Sequence, residues 1–382
     1  MTTDIPAAST TNPVRMAMIG GGPGAFIGPV HAMAARLDGR IRMVAGAFSS
    51  DPDRSLSGGR AQGLPDERIY SDWRKLIAEE AKRPDGAEFV AIVTPNHLHQ
   101  PLAIAALEAG LHVISDKPAA SNLAEALMLE NAVARTGGHY ALTYTYTGYP
   151  MIRHARALVA QGAIGRVRKV AVQYIQGWLA EPAEHGGNKQ AHWRVDPRQA
   201  GVGGCIGDIG VHAFNLAEFV SGERVVEIMP DLSSVVGGRT LDDDCNILMR
   251  FAGGQPGVLV ASQICTGERN DLTLKVHGTA ATLSWSHEDC GTLRIDHADG
   301  RTEILRAGQG AVPGTRLPIG HPEGFIEAFA NIYTDFATIV RGGAGAAGGL
   351  VPGIEEGVRS MRFVELAVTA SRARDSWVIL AD

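Results

Sequence analysis

The stretch that most restricts the fold is an apolar run, Val14-Arg15-Met16-Ala17-Met18-Ile19, followed by a glycine-rich loop from Gly20 to Gly28 and a helical run from Val30 to Leu37. Strand, glycine turn and helix in that order open a parallel α/β sheet. Glycines there let backbone amides and the helix N-terminus approach an anion such as a pyrophosphate. Gly20 and Gly22 occupy the first two positions of the pattern G-x-G-x-x-G, while Gly28 falls later than the pattern asks, which predicts a longer loop. Gly20, Gly22, Pro23, Gly24, Phe26 and Ile27 are the residues this loop would offer to a dinucleotide.

Three further strands continue the pattern. Arg42 to Phe48 ends in Ser49-Ser50, where many such domains carry an acidic residue for the ribose hydroxyls. Ser49, Ser50 and Arg54 suit a 2'-phosphate instead, while Asp51 and Asp53 make the pocket less cationic. The cofactor is therefore read as NAD or NADP, with a slight preference for NAD. Phe89 to Val93 has the composition of a buried parallel strand and ends in Thr94-Pro95-Asn96-His97-Leu98-His99. Ligands of such sheets gather at the carboxyl ends of strands, which places Thr94, Pro95, Asn96 and His99 beside the cofactor. The strand His112 to Ser115 delivers Asp116-Lys117-Pro118 to the same edge, with proline fixing the turn.

Beyond a last strand, Tyr140 to Tyr146, and a helix from Pro150 to Gln161, the pattern changes. Val167 to Gln176 reads as a strand, and residues 177–202 as a long, little-structured segment bearing Trp178, Glu181, His185, Asn188, Lys189, Trp193, Arg194 and Asp196. Loops of that length in compact domains are usually functional, and tryptophan faces among hydrogen-bonding groups suit a ring with a polar rim. The bland alternative is an interface with another subunit. Next comes Gly204-Cys205-Ile206-Gly207-Asp208-Ile209-Gly210-Val211-His212, leading into a helix with the apolar spacing of half-burial. Asp208 and His212 stand four apart, so on an α-helix they share a face, either as a proton-transfer pair or as a cap and a core histidine. From Val225 to Leu305, short alternating runs between glycine turns predict an antiparallel meander. Asp242-Asp243-Asp244 lacks metal-loop spacing and reads as a solvated turn. Residues 321–340 and 354–374 read as helices packing back on that sheet, joined by the Gly/Ala-rich linker 342–350.

Taken together and in order, the glycine loop, Thr94-Pro95-Asn96-His97-Leu98-His99, Asp116-Lys117-Pro118 and the run Gly204 to His212 closely resemble the Gfo/Idh/MocA oxidoreductases over nearly the whole chain. The resemblance implies an α/β protein: an N-terminal Rossmann dinucleotide-binding domain plus a C-terminal α+β domain with a large, mostly antiparallel open sheet. The domains are expected at residues 14–147 and 148–382, after a flexible tail at 1–13. By the same resemblance Lys117 polarises the substrate oxygen, Asp208 binds substrate hydroxyls and His212 is the acid/base; Tyr146 and, from the long segment, Trp193 and Arg194 are the other substrate-side candidates. The tripeptide begins with Asp116 rather than the commoner glutamate, shortening its reach to the nicotinamide ribose by roughly 1.5 Å. Thr145 stands where relatives often have asparagine. The implied activity is NAD(P)-dependent oxidation of a secondary hydroxyl of a sugar, glycoside or cyclic polyol to a ketone. A glycosidase using bound NAD transiently and a non-catalytic sugar and nucleotide sensor are the alternatives.

Composition narrows the partners. A chain of 382 residues that is 45% hydrophobic can bury two cores, and a net charge of -6 with dispersed basic residues excludes a nucleic-acid surface. No apolar run reaches membrane-spanning length and the start lacks a signal-peptide pattern, which predicts a cytoplasmic protein. The four cysteines form no C-x-x-C pair, so neither a disulfide framework nor a metal site is expected. A sheet covered by helices on one face predicts a homodimer or homotetramer through the other.

Overall fold

The computed structural model describes residues 12–187, 189–310, 312–343, 349–374 and 376–381. The expected tail therefore lies, up to residue 11, outside the described residues, as do Asn188 and most of the 342–350 linker. The chain divides into two compact units, the described parts of Met1–Gly148 with Phe325–Val358, and of Tyr149–Gly324 with Arg359–Asp382.

In the first unit, β1 (Val14–Gly20), β2 (Ile41–Ala47), β3 (Phe89–Val93), β4 (His112–Ser115) and β5 (Tyr140–Leu142) form one parallel sheet in the order β2-β1-β3-β4-β5. All five residues of β3, the central strand, are buried, as the unbroken apolar run requires of a sheet covered on both faces. Register aligns the carboxyl ends: Ile19 pairs with Ala47, Gly20 with Val93, Ile92 with Ser115, and Ser115 with Leu142. The turns after these strands consequently share one edge.

Two readings are corrected here. The strand predicted to run to Tyr146 stops at Leu142, and Thr145–Gly148 forms a helical turn. Gly148 lies so close to the helix Phe325–Val340 that a Cβ on it would stand 2.1 Å from the Ala328 carbonyl oxygen, and Asn331 donates to the Gly148 carbonyl at 2.9 Å. That helix was expected on the antiparallel sheet. It belongs instead to the nucleotide-side core, where Phe329, Ile332, Tyr333 and Phe336 join Met16, Met18, Val30 and Phe89. Its strongly one-sided apolar face fits either sheet, so sequence pattern alone does not choose.

The second unit is built on a nine-stranded sheet. Its strands are β6 (Val167–Ile175), β7 (Val225–Ser233), β8 (Asp244–Phe251), β9 (Pro256–Ser262), β10 (Asp271–Gly278), β11 (Ala281–Ser286), β12 (Thr292–His297), β13 (Thr302–Arg306) and β14 (Val378–Ile379). The order is β13-β12-β11-β10-β6-β9-β8-β7-β14, antiparallel throughout except for β6 beside β9. The expected single meander is in fact two, β7 to β9 and β10 to β13, separated by β6. The pairing of residues a hundred positions apart, such as Gln173 with Thr273, has no local signature.

Against this sheet lies the helix Val211–Ser221, every residue of which is buried, more than its half-buried spacing predicts. Its one carboxylate, Glu218, is compensated by Arg359 at 2.9 Å, Arg224 at 3.1 Å and the Val225 amide at 2.7 Å. Phe214 stacks on Phe363, rings 4.1 Å apart.

Candidate active site

The first unit builds a cradle from glycine contacts. A Cβ at Gly20, whose φ is +91°, would stand 2.4 Å from the Val93 carbonyl oxygen, and one at Gly22 would stand 2.2 Å from that of Phe48. The loop is thus pressed onto the ends of β2 and β3. Gly28, displaced from the expected third position, packs with its Cα side against Gly21, where a Cβ would come within 2.3 Å. It does the job of the third fingerprint glycine, close approach of helix to turn, from a later position.

The helix Ile27–Leu37 starts at Phe26 without a side-chain cap and with no acidic residue in its first turn. Such a start suits a pyrophosphate, because its amides are unoccupied by side-chain acceptors and meet no negative charge. Pro23, Gly24 and Phe26 are exposed around it. Arg54 donates to the Pro23 carbonyl at 2.9 Å, tying the glycine loop to the segment after β2. Ser49 accepts the Asp51 amide at 3.2 Å, and Ser50 is exposed.

On the neighbouring strand ends, Thr94, Pro95 and Asn96 follow β3, and Asp116 and Lys117 follow β4. His99 joins these two turns. Its ring is buried, with Nδ1 at 2.6 Å from the Pro118 carbonyl and Nε2 at 2.7 Å from the Thr94 carbonyl. Asp116 Oδ1 accepts both the Lys117 amide and the Thr143 hydroxyl at 2.9 Å. That oxygen is therefore engaged with the protein. The Lys117–Pro118 peptide bond is cis and Lys117 is half-buried. Tyr146, expected on the substrate side, is buried in the turn Thr145–Gly148.

Sequence reasoning missed His31. It faces inward from the first helix, Nδ1 at 2.7 Å from the Tyr333 hydroxyl, its ring 4.9 Å from Phe329. Burial holds its pKa below the ordinary histidine value, against the opposing field of Asp116. Tyr333 comes from a helix some three hundred residues away, so no local signal marks the pair.

The second unit gathers the other candidates. The spacing of Asp208 and His212 reads as α-helical, but Ile206–Gly210 is a π-turn, with the α-helix beginning at Val211. Turns of this kind recur at functional sites because they reset the direction of one side chain. Asp208 Oδ2 accepts from Arg194 Nε at 3.0 Å and from Gln263 Nε2 at 2.9 Å. The Arg194 guanidinium lies over the Trp193 ring at 4.3 Å and faces that of Trp178 at 5.7 Å. The adjacent Trp193 and Arg194 and, fourteen residues on, Asp208 are thus one cluster.

The segment carrying Arg194 is also more ordered than expected, with short helices at Ala183–Gly186, Lys189–Arg194 and Pro197–Ala200. Arg239 holds it, donating to the Leu179 and Glu181 carbonyls at 2.7 and 3.0 Å and pairing with Glu184 at 3.0 Å. His212 is buried, its ring 6.2 Å from that of Tyr174.

From Tyr174 a chain of neutral hydrogen bonds runs through Asn270 (2.7 Å) to Gln176 (2.6 Å) and Trp178 (2.9 Å). Gln263, Tyr174, Gln176 and Asn270 were all invisible as candidates, since polar residues within a strand or just past one of its ends carry no spacing signal. The Asp242–Asp244 turn is a further correction: Asp243 is buried, and Asp242 is turned inward onto backbone amides. Among the described residues there is no group of three or more His, Cys, Asp or Glu able to hold a metal.

Comparison with known proteins agrees with both halves. Residues 14–144 match the oxidoreductase family with an NAD-binding Rossmann fold, and residues 152–284 match the GFO/IDH/MocA C-terminal domain. An uncharacterized oxidoreductase, YfiI, of Bacillus subtilis is 32% identical, the match covering 96% of this chain and 97% of the relative. Levoglucosan dehydrogenase of Pseudarthrobacter phenanthrenivorans is 29% identical over 96% and 97%. An inositol dehydrogenase homologue from Azotobacter vinelandii, solved with NAD+, superposes with a TM-score of 0.92 at 36% identity, covering 97% of this chain and 98% of that one. Its complex with NADH and myo-inositol gives 0.89 and 34%, with the same coverage.

Proposed function

The chain belongs to the Gfo/Idh/MocA oxidoreductase family, and on that premise we propose that it oxidises a secondary hydroxyl of a sugar, glycoside or inositol-like polyol to a ketone. The observation that carries this reading is the cluster of Asp208, Arg194, Trp193 and Gln263, built on a turn that leads directly into a helix with the buried His212 at its head. An ionised carboxylate with fixed donors beside it accepts ring hydroxyls in a defined orientation, and the indole faces bind the apolar side of a ring.

His212 takes the proton of the reacting hydroxyl, since alkoxide character must develop before a hydride can leave the carbon. Lys117, on a turn fixed by Asp116, His99 and Pro118, stabilises the negative charge that forms on that oxygen. NAD(P), when bound, supplies the two-electron acceptor. Gly20, Gly22, Pro23, Gly24, Phe26 and Ile27 hold its pyrophosphate side. Thr94, Pro95, Asn96 and Asp116 line the remainder, and Ser49, Ser50 and Arg54 meet the adenosine end, where they decide between NAD and NADP.

Two further elements complete the reading. The sheet of the second unit leaves alternate residues such as Asn246 and Leu248 exposed, and assembly of two or four copies through that face would cover them. The cysteines among the described residues form no disulfide, which suits a cytoplasmic location, and no described helix is long and apolar enough to cross a membrane.

The test is a panel of cyclic polyols and pyranosides, myo-inositol and levoglucosan among them, with NAD+ and NADP+ separately. Accumulation of reduced nicotinamide with one class is expected. Cleavage of a glycoside without such accumulation would establish the redox glycosidase instead, and binding without turnover would establish a sensor.

A further inference from the structure

The turn that carries Asp208 is held by a side chain from a distant part of the chain. Asp242, just before β8, places Oδ1 at 2.7 Å from the Gly204 amide and Oδ2 at 2.7 Å from the Ile206 amide. Its carbonyl accepts the intervening Cys205 amide, also at 2.7 Å. One residue thus satisfies three consecutive amides at the start of a helix, donors that the helix itself cannot satisfy. The local capping position, Cys205, makes no side-chain cap bond, so the cap is supplied entirely in tertiary contact.

Gly204 makes the approach possible, since a Cβ there would stand 2.2 Å from the Asp242 carbonyl oxygen. From this anchor the chain enters the π-turn, where the Asp208 amide bonds the Gly204 carbonyl at 2.9 Å. The next residue reaches the other side of the same carboxylate. The Asp243 carbonyl accepts the Gln263 amide at 2.9 Å, and the Gln263 side chain donates to Asp208 Oδ2 at 2.9 Å.

We propose that Asp242 is a positioning residue for Asp208, its carboxylate fixing the backbone from which Asp208 meets the substrate. This rests on the reading of Asp208 as a substrate-binding group. A two-oxygen acceptor on two amides fixes a turn in both position and rotation, which a single acceptor does not. Burial raises the Asp242 carboxyl above the ordinary carboxylate value, against the opposing pull of the Ile206 and Gly204 amides.

Asp242→Asn tests the proposal, because it keeps the shape and one acceptor while turning an N–H toward the second amide. In hydrogen exchange read by mass spectrometry on the whole chain, exchange is expected to rise in peptides spanning residues 203–210 and to stay unchanged elsewhere in the second unit. Unchanged exchange there, or a uniform rise across the unit, would overturn the clamp. In steady-state kinetics, with myo-inositol or whichever polyol the panel turns over fastest, KM is expected to rise about tenfold, the scale of one lost charge-assisted hydrogen bond. NAD(H) affinity and the fraction of active enzyme stay constant, whereas a generally loosened protein would lose active fraction with KM unchanged. In the Asp208→Asn background the effect of Asp242→Asn is expected to vanish; effects that multiply would place Asp242 outside the action of Asp208. An Asp208→Asn variant with unaltered KM would defeat the substrate assignment itself, and the proposal with it, whatever the exchange data gave.

Discussion

Adding a single methyl group at Gly28 tests the cradle. A Cβ there would stand 2.3 Å from the Gly21 Cα and 2.5 Å from the Gly21 carbonyl oxygen, both backbone atoms that cannot rotate away. Carbon atoms pack at about 3.5–4.0 Å, so the turn and the helix start must separate by roughly 1 Å. The turn is pinned at Gly20 and Gly22 by the carbonyls of Val93 and Phe48, so the displacement falls on Pro23 to Ile27, within the segment assigned to the pyrophosphate. Misplacing binding groups by about 1 Å costs on the order of 100-fold, or about 2.7 kcal/mol. Gly28→Ala is therefore expected to weaken NAD(H) binding by about that factor in a fluorescence titration. Gly39→Ala, outside the cradle, is the control. Its Cβ would meet nothing within 4 Å, although its φ of +66° adds backbone strain. It should lower the melting temperature slightly and leave affinity nearly intact. Wild-type affinity in Gly28→Ala, or equal losses in the two variants, would refute the close-approach argument.

Three other outcomes follow from particular contacts. Lys117→Ala and His212→Ala should each lower turnover by about 10²–10⁴-fold while NAD(H) still binds, measured by steady-state rates beside cofactor titration. Glu218→Gln leaves the Arg359 guanidinium, whose side chain is 5% exposed, without its counter-charge; a loss of about 3–5 kcal/mol is expected in urea unfolding, with little change in KM. Burial holds His31, His112, His154, His277 and His287 below their ordinary values, so at mildly acid pH the unfolded chain binds more protons than the folded one. Their contribution is intact above the unfolded histidine value of 6.5 and is lost as pH falls below it. The urea midpoint should therefore be lower at pH 5.5 than at pH 7.5, and His31→Gln should reduce that difference.

Much of the first unit was legible because its signals are local. Apolar strands, the glycine loop and the turns after Val93 and Ser115 follow each other at short range, and a parallel sheet sends every such turn to the same edge. Asp208 and His212 were legible for the same reason. Their supporting partners were not. Gln263, Arg239 and Asp242 reach the site from separate segments, and an aspartate in a row of three looks alike whether it is solvated or turned onto backbone amides.

By itself, then, the order of motifs determined the family and the nucleotide-binding half and nominated the candidate reactive side chains, since each depends on residues close together in the chain. Tertiary structure alone decided that β6 separates two meanders, that the helix Phe325–Val340 serves the nucleotide-side core, and that Asp242 caps a helix some forty residues earlier. These are choices among partners that local pattern leaves equivalent, and only the packing of the complete chain distinguishes them.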